Sequence, residues 1–328
     1  MSFLGKSALA LMGARSAQAV STRAALPGGG DTYAPANQTW DEAGIGRSPM
    51  ESSNRRCGAL GCTSGWMKPW KSRRRPVFER EWACSPRCME SMVRAAVLRL
   101  AGSETRMDEE PHRHRVPLGL VLLAQGWITH PQLQAALTAQ RDAGEGRIGE
   151  WLTRHCGLPE ERITRGLGVQ WNCPVLSLES FSPRAMALVM PKRFVMEFGL
   201  VPIRVAGSSI LYLAFQDRLE PSVALSLERM SDLKVESGLL TGTQLASAKA
   251  MLLCAESVPV RTHAVKDSDD LSGTIARLVE NRQPIATRLV RVQRYYWLRM
   301  SLESGAQSGV GTIPLTAEDT EDHLLALA

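Results

Sequence analysis

The chain has 328 residues, 44% hydrophobic and 22% charged, with 39 Lys+Arg against 33 Asp+Glu and a formal net charge of +6. That suits about two domains of ordinary globular composition. It excludes a membrane-spanning helix, because no run of 18 apolar residues occurs, and it contains none of G-x-x-x-x-G-K-[ST], H-E-x-x-H, G-x-S-x-G or G-x-G-x-x-G.

Residues 1–55 are rich in Ala, Ser, Gly and Pro and offer few large apolar side chains, so a disordered leader is expected. Lys6 followed by Ser7–Met12 is too short an apolar stretch for an export signal, and Met50 is an alternative natural start. Residues 56–102 form a cysteine module. Within it, Ser85-Pro86 opens a helix, Met89, Met92, Val93, Ala96, Val97 and Leu100 follow at helical spacing, and Gly102 ends it. Trp66, Trp70, Phe78 and Trp82 are expected to be the small core of this module. From Arg55 to Arg115 there are 14 basic and 7 acidic residues, so the excess charge of the chain is concentrated here. A polar, acidic linker follows.

Residues 113–172 hold an internal repeat at an offset of 30 residues, Pro117–Gln140 and Arg147–Gln170. Each copy reads as helix, Gly-containing turn, helix. Thr129 and Gln132 form a capping box before the second helix of copy one. Residues 173–256 then alternate strand and helix patterns. Pro174–Leu178 reads as a short strand, and a helical stretch runs from Ser182-Pro183 to about Gly199. A hairpin turns at Ala206-Gly-Ser-Ser209, an amphipathic helix spans Leu219–Ser231, and a strand spans Leu233–Leu239. Thr241 and Gln244 form a second capping box. Residues 257–303 add a helix near Asp269–Asn281 and two β-prone stretches, and residues 304–328 read as a loose, Gly- and acid-rich tail. The fold class is α+β: a helical repeat pair packed on a small α/β domain, with an N-terminal zinc module.

The cysteine spacing is Cys57-x4-Cys62, then 21 residues, then Cys84-x3-Cys88. Two close pairs of thiolates suit the tetrahedral preference of zinc, and a helix N-terminus favours thiolate over thiol. Seven cysteines in all, an odd number with two close pairs, fit metal in a reducing compartment better than a disulfide framework. The segment WACSPRC resembles the last ligand pair of treble-clef zinc modules. A structural zinc on Cys57, Cys62, Cys84 and Cys88 is expected.

The repeat resembles the paired 24-residue motifs, roughly R-L-G-x-x-Φ-Φ-x-x-G-Φ-Φ-x4-L-x3-L-x2-Q, of the N-terminal MshE-type domain of type II secretion and type IV pilus assembly ATPases. Copy one matches at Leu118, Gly119, Leu122, Leu123, Gly126, Trp127, Ile128, Leu133, Leu137 and Gln140. Copy two matches at Arg147, Ile148, Gly149, Leu152, Leu158, Ile163, Leu167 and Gln170. The resemblance implies binding of cyclic di-GMP, half of the ligand per motif, through Leu118, Gly119, Gln140, Arg147, Ile148, Gly149 and Gln170. Two departures stand out. Pro117 replaces the first motif Arg, and Cys156 replaces the turn Gly, with Gly157 one place late. Arg loss at a stacked or bidentate site predicts weaker binding.

The resemblance implies a regulatory or adaptor protein, and because the sequence holds no phosphate-cradling loop it is expected not to hydrolyse ATP. It would act in the cytoplasm or peripherally at the inner membrane, docked to a membrane-platform component or ATPase subunit of a secretion or pilus machine and gated by cyclic di-GMP. A second reading stays open: a regulator that binds nucleic acid through the basic cysteine module, recognisable by steep salt dependence.

Overall fold

The computed structural model describes residues 57–63, 76–103, 116–215, 221–303 and 311–327. The expected leader, Trp66 and Trp70 lie outside the described residues. All described residues fall in one compact unit, Ser53–Ala328.

The chain opens with a two-stranded antiparallel hairpin, β1 (Val77–Phe78) and β2 (Glu81–Trp82), leading into α1 (Pro86–Ser103). Four helices follow: α2 (Leu118–Ala124), α3 (His130–Ala143), α4 (Ile148–Cys156) and α5 (Glu160–Trp171). They share their own core, built on Leu118, Leu122, Leu133, Leu152, Leu158 and Ile163. The capping box at Thr129 and Gln132 starts α3 as the spacing predicts, with both reciprocal hydrogen bonds present.

The next body contains α6 (Pro183–Met186), α7 (Lys192–Phe198), β3 (Leu200–Ala206), β4 (Ile210–Phe215), α8 (Pro221–Ser231), β5 (Lys234–Leu239) and α9 (Gly242–Cys254). Its three strands run in the order β3-β4-β5, the first pair antiparallel and the second parallel. The hairpin turns at Gly207 and Ser208, both with positive φ, and the Thr241–Gln244 box opens α9. The single helix expected from Pro183 to Gly199 is instead two short ones. Pro191 has no N–H to donate and biases Met190 away from the helical region, so it breaks the stretch and becomes the N-cap of α7. Pro174–Leu178 makes only an isolated bridge, Val175 to Leu239, rather than a full strand.

The last body contains β6 (Val260–Val265), α10 (Ser268–Arg282), β7 (Ala286–Val292), β8 (Tyr295–Ser301) and β9 (Thr320–Leu327). Its sheet has the order β6-β9-β8-β7, parallel at β6–β9 and antiparallel elsewhere. The expected loose tail is corrected here, because Thr320–Leu327 forms β9, an inner strand. The short apolar run after His323 fills both faces of the sheet, and the acids before it are paired: Asp322 with Arg299 and Glu321 with Arg282.

This sheet is buried on both sides because its side chains alternate between two cores. Val290, Val292, Tyr295, Trp297 and Leu324 join the core of the preceding α+β body. Leu289, Tyr296, Leu298, Met300 and Leu325 face α10 and, with it, the cysteine module's Phe78, Met89, Val93 and Val97. The expected self-contained core of residues 56–102 is therefore corrected. Phe78 is fully buried, but the partners that cover it and α1 come from the far end of the chain. A segment with so few apolar residues cannot bury them alone. The β1–β2 turn, with positive φ at Glu79 and Arg80, is pinned to β7, where the Glu79 N–H donates to Thr287 Oγ1 at 2.9 Å. Arg99 of α1 donates to Glu79 Oε2 at 2.7 Å.

A buried bidentate pair joins β8 to β9, and its arginine also reaches the α+β body. Arg299 Nε and Nη2 each donate to Asp322 at 2.8 Å, and Nη1 donates to the Val189 carbonyl at 3.3 Å. Removing one partner of such a pair leaves an uncompensated buried charge and costs about 3–5 kcal/mol.

Candidate functional site

The two copies of the repeat are packed reciprocally. Residues 30 apart play the same part: Leu122 and Leu152, Ile128 and Leu158, and Leu133 and Ile163 are all buried. Helix α2 of copy one packs on α5 of copy two, and α3 packs on α4. Gly119 and Gly149 permit the close approach of the two helices within each copy, α2 to α3 and α4 to α5. A Cβ on Gly119 would lie 2.6 Å from Leu133, and one on Gly149 would lie 3.0 Å from Ile163. The missing turn Gly of copy two is absorbed within one residue. Copy one turns on Gly126 (φ +68), whereas α4 runs on through Cys156 and turns on Gly157 (φ +62). Leu158 returns to register with Ile128.

The two motif glutamines also exchange roles. Gln140 Nε2 donates to the carbonyl of Gly146, just before Arg147, at 2.8 Å. Gln170 Nε2 donates to the carbonyl of Val116, just before Pro117, at 2.6 Å. Each copy thus ties down the entry to the first helix of the other.

A cleft of about 850 Å³ opens between copy two and the α+β body. Of the seven residues expected to bind a nucleotide, it gathers Leu118, Arg147, Ile148, Gly149 and Gln170. Gly119 and Gln140 do not line it: Gly119 is buried against Leu133, and the Gln140 amide is spent on Gly146. Arg147 stands exposed at the N-cap of α4 with extended backbone. Pro117, its counterpart at the N-cap of α2, has φ −54° and ψ 139° and no side-chain donor.

The far wall comes from residues that the repeat pattern does not reveal. Trp171 and Phe215 stack with centroids 5.5 Å apart, and Leu239, Leu240 and Leu245 complete an apolar side. These residues belong to different elements, and no local spacing links them. Glu160, also at the rim, accepts from the Thr243 N–H (3.3 Å) and hydroxyl (2.8 Å), fastening α5 to the first turn of α9. Flat apolar walls with an arginine and an amide at the edge suit a planar, hydrogen-bonding, anionic ligand.

The four cysteines come together as their spacing predicts. All four Sγ atoms lie within 4.8 Å of one another. Cys62–Cys84 and Cys84–Cys88 are 3.5 Å apart, and Cys88–Cys62 is 3.7 Å. A tetrahedron of sulfurs at zinc–thiolate bond length has edges of about 3.8 Å. The Cys84 N–H donates to Cys57 Sγ at 3.4 Å, the kind of backbone support that holds a thiolate ligand in place. Desolvation and the surrounding thiols push Cys84 up to about 12. A divalent ion reverses that balance. The residues fit a structural zinc in a treble-clef-like module, with one pair from the 57–62 turn and the other from the start of α1.

Among the described residues no helix is long and apolar enough to cross a membrane. No protein-family model matches the chain. Solved structures that it resembles include MshE with cyclic di-GMP, 25% identical, covering 42% of this chain and 98% of that one, with a TM-score of 0.34. They also include the N-terminal domain of XpsE, 16% identical, covering 44% and 98%, with a TM-score of 0.28. Among curated proteins, the type IV pilus assembly ATPase PilB of Thermus thermophilus is 33% identical over 114 residues, 34% of this chain. That match spans 13% of the length of PilB. Over about a third of its length, the chain is therefore similar to a type IV pilus assembly ATPase.

Proposed function

We propose that this chain is a non-catalytic regulatory or adaptor component of a secretion or pilus machine, and that its cleft binds cyclic di-GMP. The observation that carries the reading is the cleft itself. A doubled motif folds into two interlocked copies, and Arg147, Ile148, Gly149 and Gln170 meet a stacked aromatic wall there. The sequence similarity to PilB and the cyclic di-GMP in the MshE structure point the same way. The partner in this reading is a membrane-platform component or ATPase subunit, met in the cytoplasm at the inner membrane. The cysteine cluster holds one zinc with a structural role. The absence of a phosphate-cradling loop within these 328 residues supports a non-catalytic part.

Titration calorimetry of the protein with cyclic di-GMP tests the reading. Saturable binding is expected, abolished by Arg147→Ala with an unchanged melting temperature. No heat at high micromolar ligand would overturn it. Duplex-DNA binding that weakens steeply with salt, in a protein indifferent to cyclic di-GMP, would assign function to the basic cysteine module instead.

A further inference from the structure

Pro117 leaves the first motif without its arginine, yet the cleft contains two arginines. The second is Arg154, in the last turn of α4, the helix that Arg147 caps. Both side chains line the cleft, one from just before the first turn of α4 and the other from its last turn. The residue 30 positions before Arg154 is Ala124. The asymmetry therefore runs in the same direction at both positions. Copy one has Pro and Ala where copy two has Arg and Arg.

Arg154 is poised rather than consumed. Its guanidinium lies over the Trp151 ring at 5.5 Å from the centroid, which holds its direction. Among the described residues no carboxylate forms an ion pair with it. The acids Glu150 and Glu160 also line the cleft, and the Glu160 carboxylate is turned to Thr243.

We propose that Arg154 is a ligand-contacting residue of the cleft and replaces the cation absent at Pro117. Both phosphate- or guanine-binding guanidinium groups then come from copy two instead of one from each copy. The proposal rests on the reading of the cleft as a cyclic di-GMP site. A guanidinium there pairs two N–H donors with a phosphate or a guanine edge.

The test is calorimetry with cyclic di-GMP on the wild type, Arg154→Gln, Arg154→Lys, and Arg154→Gln combined with Pro117→Arg, each with its melting temperature. Loss of one charged contact is expected to weaken binding by about 10- to 100-fold in Arg154→Gln. Arg154→Lys, which keeps the charge but not the fork, is expected to fall between that variant and the wild type. Pro117→Arg is expected to restore much of the loss, because it returns a cation to the motif's own position. A purely structural role through Trp151 would lower the melting temperature and would not be rescued at position 117. Wild-type affinity in Arg154→Gln overturns this proposal while leaving the cleft reading standing. Silence in the wild type overturns the cleft reading instead.

Discussion

His323 shows how the surroundings of one residue set its behaviour. It has no exposed surface, its Nδ1 lies 3.0 Å from His263 Nε2, and its Nε2 stands 3.6 Å from Glu321. Burial, then the neighbouring His263, hold its pKa at about 4, and Arg261 adds to the lowering against Glu321 and Asp322. An unfolded histidine titrates near 6.5, so the unfolded chain takes up this proton first as pH falls. Stability from the neutral, buried ring is complete above about pH 6.5 and declines between there and about pH 4. His263 is also lowered, by burial and Arg261, and acts in the same direction. His323→Gln is expected to flatten the fall in melting temperature between pH 7 and pH 5 relative to the wild type. Parallel melting profiles would show that other groups control acid sensitivity.

Among the elements, the repeat pair separates packing from ligand contact. Both glutamines sit at the last position of their motif, so the sequence assigns them one role. The structure gives both a shared mechanical role as staples, and only Gln170 also lines the cleft. Gln140→Ala and Gln170→Ala are each expected to cost about 0.5–1.5 kcal/mol of stability in denaturant unfolding, the net worth of one hydrogen bond. Only Gln170→Ala is expected also to weaken cyclic di-GMP binding strongly. Equal losses of affinity in both variants would mean that Gln140 reaches the ligand too. Capping boxes and helix starts were legible because they depend on residues three apart. The split of α6 from α7 was legible in principle, since Pro191 is in plain view, but the apolar pattern continues across it and outweighed it. Strand β9 was not legible: its acids read as tail, and only their partners Arg299 and Arg282 make them tolerable inside.

Across the whole molecule, the cysteine module and the C-terminal sheet behave as one folding unit although about 160 residues separate them in sequence. Stripping the metal with a chelator, or Cys84→Ser, is therefore expected to do more than free residues 57–63 and 76–103. Hydrogen exchange should rise in α10 and on β7 and β8 as well, while α2–α5, with a separate core, keep their protection. A metal site worth several kcal/mol to folding makes that loss readable as a lower melting temperature. Exchange confined to the cysteine module would show that the shared core survives without it.

What can be read along the chain is what depends on neighbours in sequence. The four clustered cysteines, the 30-residue repeat and the capping boxes announce themselves by spacing, because helical periodicity and metal geometry act over a few residues, while the binding candidates Leu118, Arg147, Ile148, Gly149 and Gln170 come from the resemblance of that repeat to the MshE-type motif. The domain boundaries do not. A strand buried on both faces is assigned to its cores by whatever packs above and below, so β8 divides Tyr295 and Trp297 from Tyr296 and Leu298 for reasons absent from its own sequence. The far wall of the cleft has the same origin. Trp171, Phe215 and Leu239 meet because three elements converge, and the burial of apolar surface that brings them together is non-directional and leaves no motif.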